Sequence, residues 1–254
     1  MPTLVLSSTY NTESKILRKA AQDLNWETFR FEGDGMPKGY ERRETRYAIY
    51  CTVPKAFNVA RQLDSILMGC SSNWLPELPE TFSKRKIDLL ELRNVAGIKG
   101  DRFIKPALGK SFDAAVSSGQ QVMSKNAHLP PSLLVHASEV VEWEMEYRCF
   151  AKDHEVMTLS PYRRNGVTFS SYESPLRGPR RESEEASEFA HSVLQSVPCP
   201  GAFVLDVGII KGRGWAVVEP NECWGAGIYG CSPSAVLEVL RLASVRRGDH
   251  ANHA

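Results

Sequence analysis

The chain has 254 residues, 31 basic and 30 acidic side chains and a formal charge of +1, with 42% hydrophobic and 24% charged residues. That is ordinary globular composition for one large domain or two small lobes, and it excludes a disordered, collagenous or coiled-coil chain. The balanced charge argues against a protein built to neutralise a nucleic-acid backbone. No stretch approaches the roughly 18 apolar residues of a membrane helix. The start, Met1-Pro2-Thr3-Leu4-Val5-Leu6, lacks the basic and apolar regions of a secretory signal. A cytoplasmic protein without a membrane partner is expected.

Thr3 to Ser7 reads as a short strand, Thr12 to Leu24 as an amphipathic helix and Trp26 to Phe31 as a second strand. This β-α-β opening points to an α/β domain. Gly33 to Arg46 reads as a loop, Arg46 to Val53 as a strand, and Pro54 to Gly69 as a helix with proline at its start. Ser71 to Phe82, with Pro76 and Pro79, looks like a linker into a charged helix around Ser83 to Val95. Arg102 to Pro106 is a strand, followed by Gly109 and a Ser-rich turn, then strands at Leu133 to Ser138, Glu142 to Lys152 and Glu155 to Leu159. Asn165 to Glu185 reads as a mobile loop, and Glu184 to Val197 as a helix stopped by Pro198. Ala202 to Ile210 and Gly214 to Glu219 are apolar runs around a hairpin signal, Lys211-Gly212-Arg213-Gly214. Ser232 to Ser244 is a closing helix and Val245 to Ala254 a frayed tail. No internal repeat is visible.

The six cysteines form no C-x-x-C pair and the six histidines no zincin signature, so reduced thiols packed as small hydrophobes are expected. Trp74, Trp143 and Trp215 are expected in the core. Chemistry is concentrated elsewhere. Asp206 is a lone carboxylate in an apolar strand, and Glu219 and Asn221, two residues apart, share one face of an extended segment. If the two runs form a hairpin, two carboxylates and one amide oxygen make a donor set suited to Mg²⁺; a strand-end salt bridge with a turn-forming Asn is the plain alternative. Pro220 between them removes a ladder donor, which places that strand at a sheet edge or at its end. Lys105, inside an apolar strand, needs either an anion for its ammonium or a route to solvent. Glu144-Met-Glu146-Tyr-Arg148-Cys alternates, with its charges on one face, as suits a cleft wall or a half-exposed strand.

The order Lys105-Pro106, Glu146-Tyr147-Arg148, Asp206-Val207-Gly208 and Val218-Glu219-Pro220-Asn221 resembles the ATP-grasp superfamily. Gly214-Trp215-Ala216-Val217-Val218-Glu219 with Trp224-Gly225-Ala226-Gly227-Ile228-Tyr229-Gly230 is similar, more narrowly, to a small bacterial and phage clade of ATP-grasp proteins. The resemblance covers most of residues 70 to 245. It implies an α/β protein with α+β lobes, an ATP-grasp fold behind an N-terminal β-α-β region that looks like a pre-ATP-grasp element. The implied division is residues 1–90 for that region, 91–141 for the small lobe, 142–246 for the C-terminal lobe with the metal site, and 247–254 for the tail.

The activity implied is an ATP-dependent carboxylate–amine ligase, forming an acyl phosphate and releasing ADP and phosphate, with ATP and Mg²⁺ (or Mn²⁺) as cofactors. Its substrates would be small-molecule, amino-acid or peptide carboxylates and amines. By the same resemblance Asp206, Glu219 and Asn221 hold the metal. Lys105 lies on the phosphates, with Lys110 (or Lys84, Lys86 or Lys99) as a second phosphate lysine, and Glu139-Val140-Val141 reads adenine through its backbone. Arg148 faces the phosphate or acyl group, Glu146 lies in the same cleft, and Tyr162, Arg163 and Arg164 contact substrate. The Asn165 to Glu185 loop would close over the site. A phosphoryl-transferring enzyme and a non-catalytic nucleotide-binding module are the other readings. On this reading Asp206→Asn and Glu219→Gln leave the fold intact and abolish Mg²⁺-dependent turnover.

Overall fold

A computed structural model of the protein describes residues 1–7, 11–31, 47–169 and 176–247, apart from the side chain of residue 54. In chain order the elements are β1 (Thr3–Ser7), α1 (Thr12–Asp23), β2 (Glu27–Phe31), β3 (Tyr47–Tyr50), α2 (Val53–Gln62), β4 (Ser65–Leu67), α3 (Glu80–Ser83) and β5 (Ile87–Glu91). A 3-10 turn at Leu92–Gly97 leads to β6 (Asp101–Pro106), β7 (Ala115–Ser118), α4 (Gly119–Lys125) and β8 (Leu134–Ser138). Then come β9 (Trp143–Lys152), β10 (Glu155–Arg164), β11 (Val167–Thr168), α5 (Arg180–Ser196), β12 (Ala202–Ile210) and β13 (Gly214–Asn221). A 3-10 turn at Cys223–Gly225, α6 (Pro233–Leu242) and β14 (Ser244–Arg246) close the described chain. Residues fall into two compact units, 1–70 with 145–208 and 218–254, and 71–144 with 209–217.

The first unit contains the β-α-β opening read from the sequence. β1 lies between β2 and β3, parallel to both, and is buried on both faces, as the centre of a parallel sheet should be. Asn11 caps α1 by accepting from the Ser14 amide at 2.8 Å, and Leu17 and Ala21 point inward. A five-stranded sheet runs β11-β10-β9-β12-β13, and β13 is its edge, where Pro220 costs no ladder bond. The two sheets share one core, in which Leu4, Leu6 and Ile49 pack with Phe150, Val204, Trp224, Leu237 and Leu240.

The second unit is an antiparallel sheet ordered β5-β8-β6-β7. One face packs Ile104, Val135 and Ala137 against Leu92, Val95 and Val122, the last from α4. The opposite face carries Lys105 directly across from His136, with Phe103 and Val116 paired beside them and exposed.

Several local expectations change. The helix begun near Pro54 ends at Gln62, because Asp64 adopts a left-handed backbone (φ 53°) and the next residues pair as β4 with β14. That pairing also orders part of the stretch read as a frayed tail; residues 248–254 lie outside the described residues. The charged segment at 83–95 is β5 and a 3-10 turn: Lys84 caps α3 with φ 47°, and β8 recruits residues 87–91 as a strand. The Ser-rich turn holds β7 and α4. Of the tryptophans, Trp224 is in the core, whereas Trp74, Trp143 and Trp215 are only partly buried, Trp143 lying under the Arg85 guanidinium. Residues 71–82 are more than a linker, since Leu75 and Leu78 are buried. The loop expected at 33–46 lies outside the described residues; of the stretch expected as a loop at 165–185, residues 170–175 do too, while 167–168 form β11 and 180–185 open α5.

The six thiols are unbridged, and burial pushes those of Cys51, Cys223 and Cys231 up to about 12, so they are protonated and inert at neutral pH. Among the described residues no helix is long and apolar enough to cross a membrane.

Gly119, the first residue of α4, lies against the backbone of Val95, where an added Cβ would meet the Val95 carbonyl oxygen at 1.8 Å. Gly119→Ala is expected to destabilise the protein by about 1–3 kcal/mol or more through overpacking. Gly97→Ala, which meets nothing within 4 Å, is expected to be near neutral. Thermal melts of the two variants check this.

Candidate active site

Strand alternation places Glu146 and Arg148 on one face of β9, and both are buried, so the strand is not a half-exposed one with surface ion pairs. Asp206 enters from β12 with no exposed surface. Arg148 grips it with two bonds, Nε to Oδ1 at 2.9 Å and Nη2 to Oδ2 at 2.6 Å, the two-pronged geometry that arginine makes with a carboxylate. Burial alone would lower the guanidinium pKa, but the attraction and hydrogen bonds of Asp206 outweigh it and hold it raised. Arg148 is thus a permanently charged, fixed group. Its guanidinium carbon lies 5.2 Å from the Tyr162 ring centre and 4.9 Å from that of Tyr229, and the two rings stack at 4.9 Å.

Tyr162 reaches this place through an irregularity of the β9–β10 ladder. Pro161 pairs with Tyr147 and Arg163 with Glu146, so Tyr162 and Arg163 together oppose Glu146. Both contact it: the Tyr162 hydroxyl donates to Oε2 at 2.6 Å and Arg163 Nη1 to Oε1 at 3.1 Å. Burial raises the Glu146 pKa, Tyr162 and Arg163 pull it back, and the negative charges of Asp206 and Glu219 push it up again.

At the end of β13, the Asn221 side-chain NH₂ lies 3.0 Å from Asp206 Oδ2 and 3.2 Å from Glu219 Oε1. All three residues expected to hold metal therefore meet at one point, with a donor standing between two carboxylates. A half-turn of the amide would present its oxygen instead, completing an all-oxygen set. Around this point the named side chains comprise four carboxylates (Glu13, Glu146, Asp206, Glu219) against two guanidinium groups (Arg148, Arg163). An acidic excess of two suits a divalent cation, so the residues fit the metal implied. Among the described residues no group of three or more His, Cys, Asp or Glu side chains is placed to hold a metal ion, and the set here reaches three donors only by counting the Asn221 amide.

The remaining expected residues are distributed as follows. Arg164 is not brought to this cluster: it donates to Glu182 at 2.8 Å, as Tyr147 does, on the α5 side of the sheet. Lys105 is half-buried on the sheet face opposite the second unit's apolar core, across from the buried His136, and Lys110 is exposed just after Gly109. The Glu139 side chain is engaged by Arg213 at 2.5 Å and 3.1 Å, and its amide donates to the Lys86 carbonyl at 2.8 Å, while Val140 is exposed. Of the alternative lysines, Lys84 donates to the Arg213 carbonyl at 2.8 Å and Lys86 pairs with Asp88 at 3.5 Å.

Glu13, Tyr50 and the Gly227 carbonyl also belong to the cluster, and sequence reasoning missed them. Gly227 accepts from Arg148 Nη1 at 3.1 Å; Glu13 accepts from Tyr50 and from the Ile228 amide, both at 2.8 Å. An acidic residue in the first turn of an exposed helix face reads as ordinary helix-dipole chemistry, so nothing in the local sequence marks Glu13.

A family model for an ATP-grasp domain, the second family of one clade of such domains, matches residues 82–239, more than half of the chain. The chain therefore belongs to the ATP-grasp superfamily, in that clade. No curated protein matches the chain at a significant level. Among solved structures it is similar to a D-alanine–D-alanine ligase from Bacillus anthracis (TM-score 0.53, 12% identity, covering 96% of this chain and 97% of that one). It is also similar to a RimK domain ATP-grasp protein from Sphaerobacter thermophilus (TM-score 0.53, 11%, 94% and 99%) and to the ATP-grasp ligase PsnB with a minimal precursor (TM-score 0.51, 10%, 94% and 97%). At these identities the likeness establishes the ATP-grasp fold.

The geometry revises the expectation for Asp206. Replacing it with Asn leaves a buried guanidinium uncompensated, so Asp206→Asn is expected to cost about 3–5 kcal/mol of stability. Glu219→Gln, at a half-buried position outside the Arg148 pair, is expected to cost about 1 kcal/mol or less. Denaturant unfolding separates the two.

A second expectation concerns pH. Because folding raises the Glu146 pKa, the folded protein binds that proton more tightly than the unfolded chain. In the window just above the ordinary Glu value of about 4.3, Glu146 then makes stability fall as pH rises. The stability of Glu146→Gln relative to the parent should therefore increase from pH 4 to pH 7. Metal-free urea unfolding across that range is the measurement, and a flat or falling difference contradicts the assignment.

Proposed function

We propose that the protein is an ATP-dependent, ADP-forming ligase that joins a carboxylate to an amine. The observation that supports this best is the meeting of Asp206, Glu219 and Asn221 at one acidic point beside the clamped Arg148, in a chain of the ATP-grasp superfamily. A substrate carboxylate oxygen takes the γ-phosphoryl group of ATP, ADP leaves, and an acyl phosphate forms. An amine then attacks the acyl carbon, an amide bond replaces the acyl–phosphate bond, and inorganic phosphate and a proton depart. Neither step requires a protein nucleophile.

Asp206, Glu219 and Asn221 would hold Mg²⁺ (or Mn²⁺), and the bound cation supplies Lewis-acid stabilisation of phosphate charge. Arg148, held rigid by Asp206, Gly227 and two aromatic rings, adds a preorganised positive charge that needs no rearrangement as negative charge develops. Lys105, half-buried in its strand, is assigned to the phosphates, with Lys110 five residues on in the following loop. The Glu139–Val141 backbone is assigned to adenine. Glu146 holds Tyr162 and Arg163, of which Arg163, 41% exposed at its side chain, is assigned to the substrate carboxylate. Arg164, committed to Glu182, drops out of the substrate set. Six unbridged thiols and a need for ATP fit a reducing, ATP-containing compartment, the cytoplasm.

The test is ATP turnover with Mg²⁺ against pooled amino acids, small acids, amines and short peptides, reading ADP, AMP and phosphate separately. ADP and phosphate that rise together only when acid and amine are both present are expected. A stable phosphorylated product without amine would identify phosphoryl transfer instead, and ATP binding without turnover across the pool would favour a binding module. Glu219→Gln is expected to lower turnover by at least about a hundredfold at unchanged fold. Lys105→Ala is expected to weaken ATP binding by about tenfold, the loss of a hydrogen bond to a charged group; calorimetry gives the affinity, and an unchanged value removes Lys105 from the phosphates.

A further inference from the structure

The family-matched segment begins at residue 82, yet the candidate site draws on residues before it. Glu13, in the first turn of α1, spends both carboxylate oxygens on the site's surroundings. Oε2 accepts from the Tyr50 hydroxyl and Oε1 from the backbone amide of Ile228, each at 2.8 Å. The residues on either side of that amide are the ones that hold Arg148. Before it, the Gly227 carbonyl accepts from Arg148 Nη1 at 3.1 Å. After it, Tyr229 lies against the Arg148 guanidinium and stacks on Tyr162, with its backbone in the left-handed region at φ 46°.

A bulky residue in that region is strained by an amount on the order of 1–3 kcal/mol and persists only where its surroundings hold it. A hydrogen bond from the preceding amide to a carboxylate is a holding force of that size. Space is restricted as well: a Cβ on Gly227 would sit 3.2 Å from Glu13 Oε1 and 3.7 Å from Arg148 Nη1, so the glycine lets the carboxylate and the guanidinium approach the same backbone from two sides.

We propose that Glu13 is a positioning residue of the active site. It pins the 227–229 turn, and through the Gly227 carbonyl and the Tyr229 ring it fixes the orientation of Arg148. The amino-terminal β-α-β region thereby completes the site of the ATP-grasp segment. The geometric part of this inference stands on the contacts alone; its effect on turnover rests on the ligase reading above.

The experiment uses the full chain and compares Glu13→Ala with Glu13→Gln, which keeps an acceptor oxygen for the Ile228 amide. Backbone hydrogen exchange of the 224–231 segment is measured first. In Glu13→Ala, exchange at Ile228 should accelerate about tenfold or more, the loss of a hydrogen bond to a charged acceptor, while Glu13→Gln stays within about threefold of the parent. Turnover should then show a lowered kcat with KM for ATP unchanged in Glu13→Ala, and recovery in Glu13→Gln. Parent-like exchange at Ile228 in Glu13→Ala overturns the proposal, and a lowered melting temperature with parent-like exchange marks Glu13 as merely structural and overturns it equally. Should Glu13→Ala not fold, Glu13→Asp is measured. One methylene shorter, it cannot satisfy Tyr50 and Ile228 together, and unchanged exchange there again overturns the proposal. A parent protein that turns over no ATP removes the ligase reading while the exchange comparison still decides the positioning role.

Discussion

The buried pair between Arg148 and Asp206 is the constraint around which the rest of the candidate site is arranged. A guanidinium with almost no exposed surface requires a carboxylate beside it, and a fully buried carboxylate requires the reverse. Each charge therefore prevents the other from being replaced without loss. Such a pair is an expensive way to stabilise a fold, because hydrophobic residues of similar size often do as well or better. What it supplies here is a fixed positive charge directly beside Asp206, one of the three residues that meet near Asn221.

Everything packed around the pair limits its freedom. Two tyrosine rings lie against the guanidinium, a backbone carbonyl takes one of its donors, and Asp206 takes two others. Tyr162 is itself held by Glu146, which Arg163 holds in turn. The chain of contacts runs from a strand irregularity through a carboxylate to a ring and a guanidinium, and each member is placed by the next. A site that depends on electrostatic preorganisation needs this rigidity, since a charge free to reorient loses most of its advantage.

The second unit follows a different logic. Its helix-covered face is a small apolar core, tight enough at Gly119 to leave no room for a methyl group. Its other face carries Lys105 beside exposed Phe103 and Val116. Glu139, Lys84 and Lys86 are committed to contacts within this unit.

Several features are legible in the sequence alone, because they are local. Apolar and β-branched runs, with strict alternation in β9, mark β1, β6, β8, β9 and β12 within a residue or so of their observed bounds, and the proline at 220 predicts an edge strand. The two-residue spacing of Glu219 and Asn221 predicts their shared face, and the order of Lys105, Arg148, Asp206 and the E-P-N run points to the ATP-grasp superfamily. Tertiary structure alone decides which distant segments meet. The pairing of residues 65–67 with 244–246 converts a helical pattern and an apparent tail into strands, since hydrogen-bonded partners override weak local preference. The skipped register at Tyr162 turns two consecutive residues toward one carboxylate, and no periodicity encodes a bulge. The separation of Arg163 from Arg164, adjacent in sequence and opposite in destination, follows from that same register. Glu13 shows the limit most plainly: its partners lie 37 and 215 residues away, so its role exists only once the chain has closed on itself.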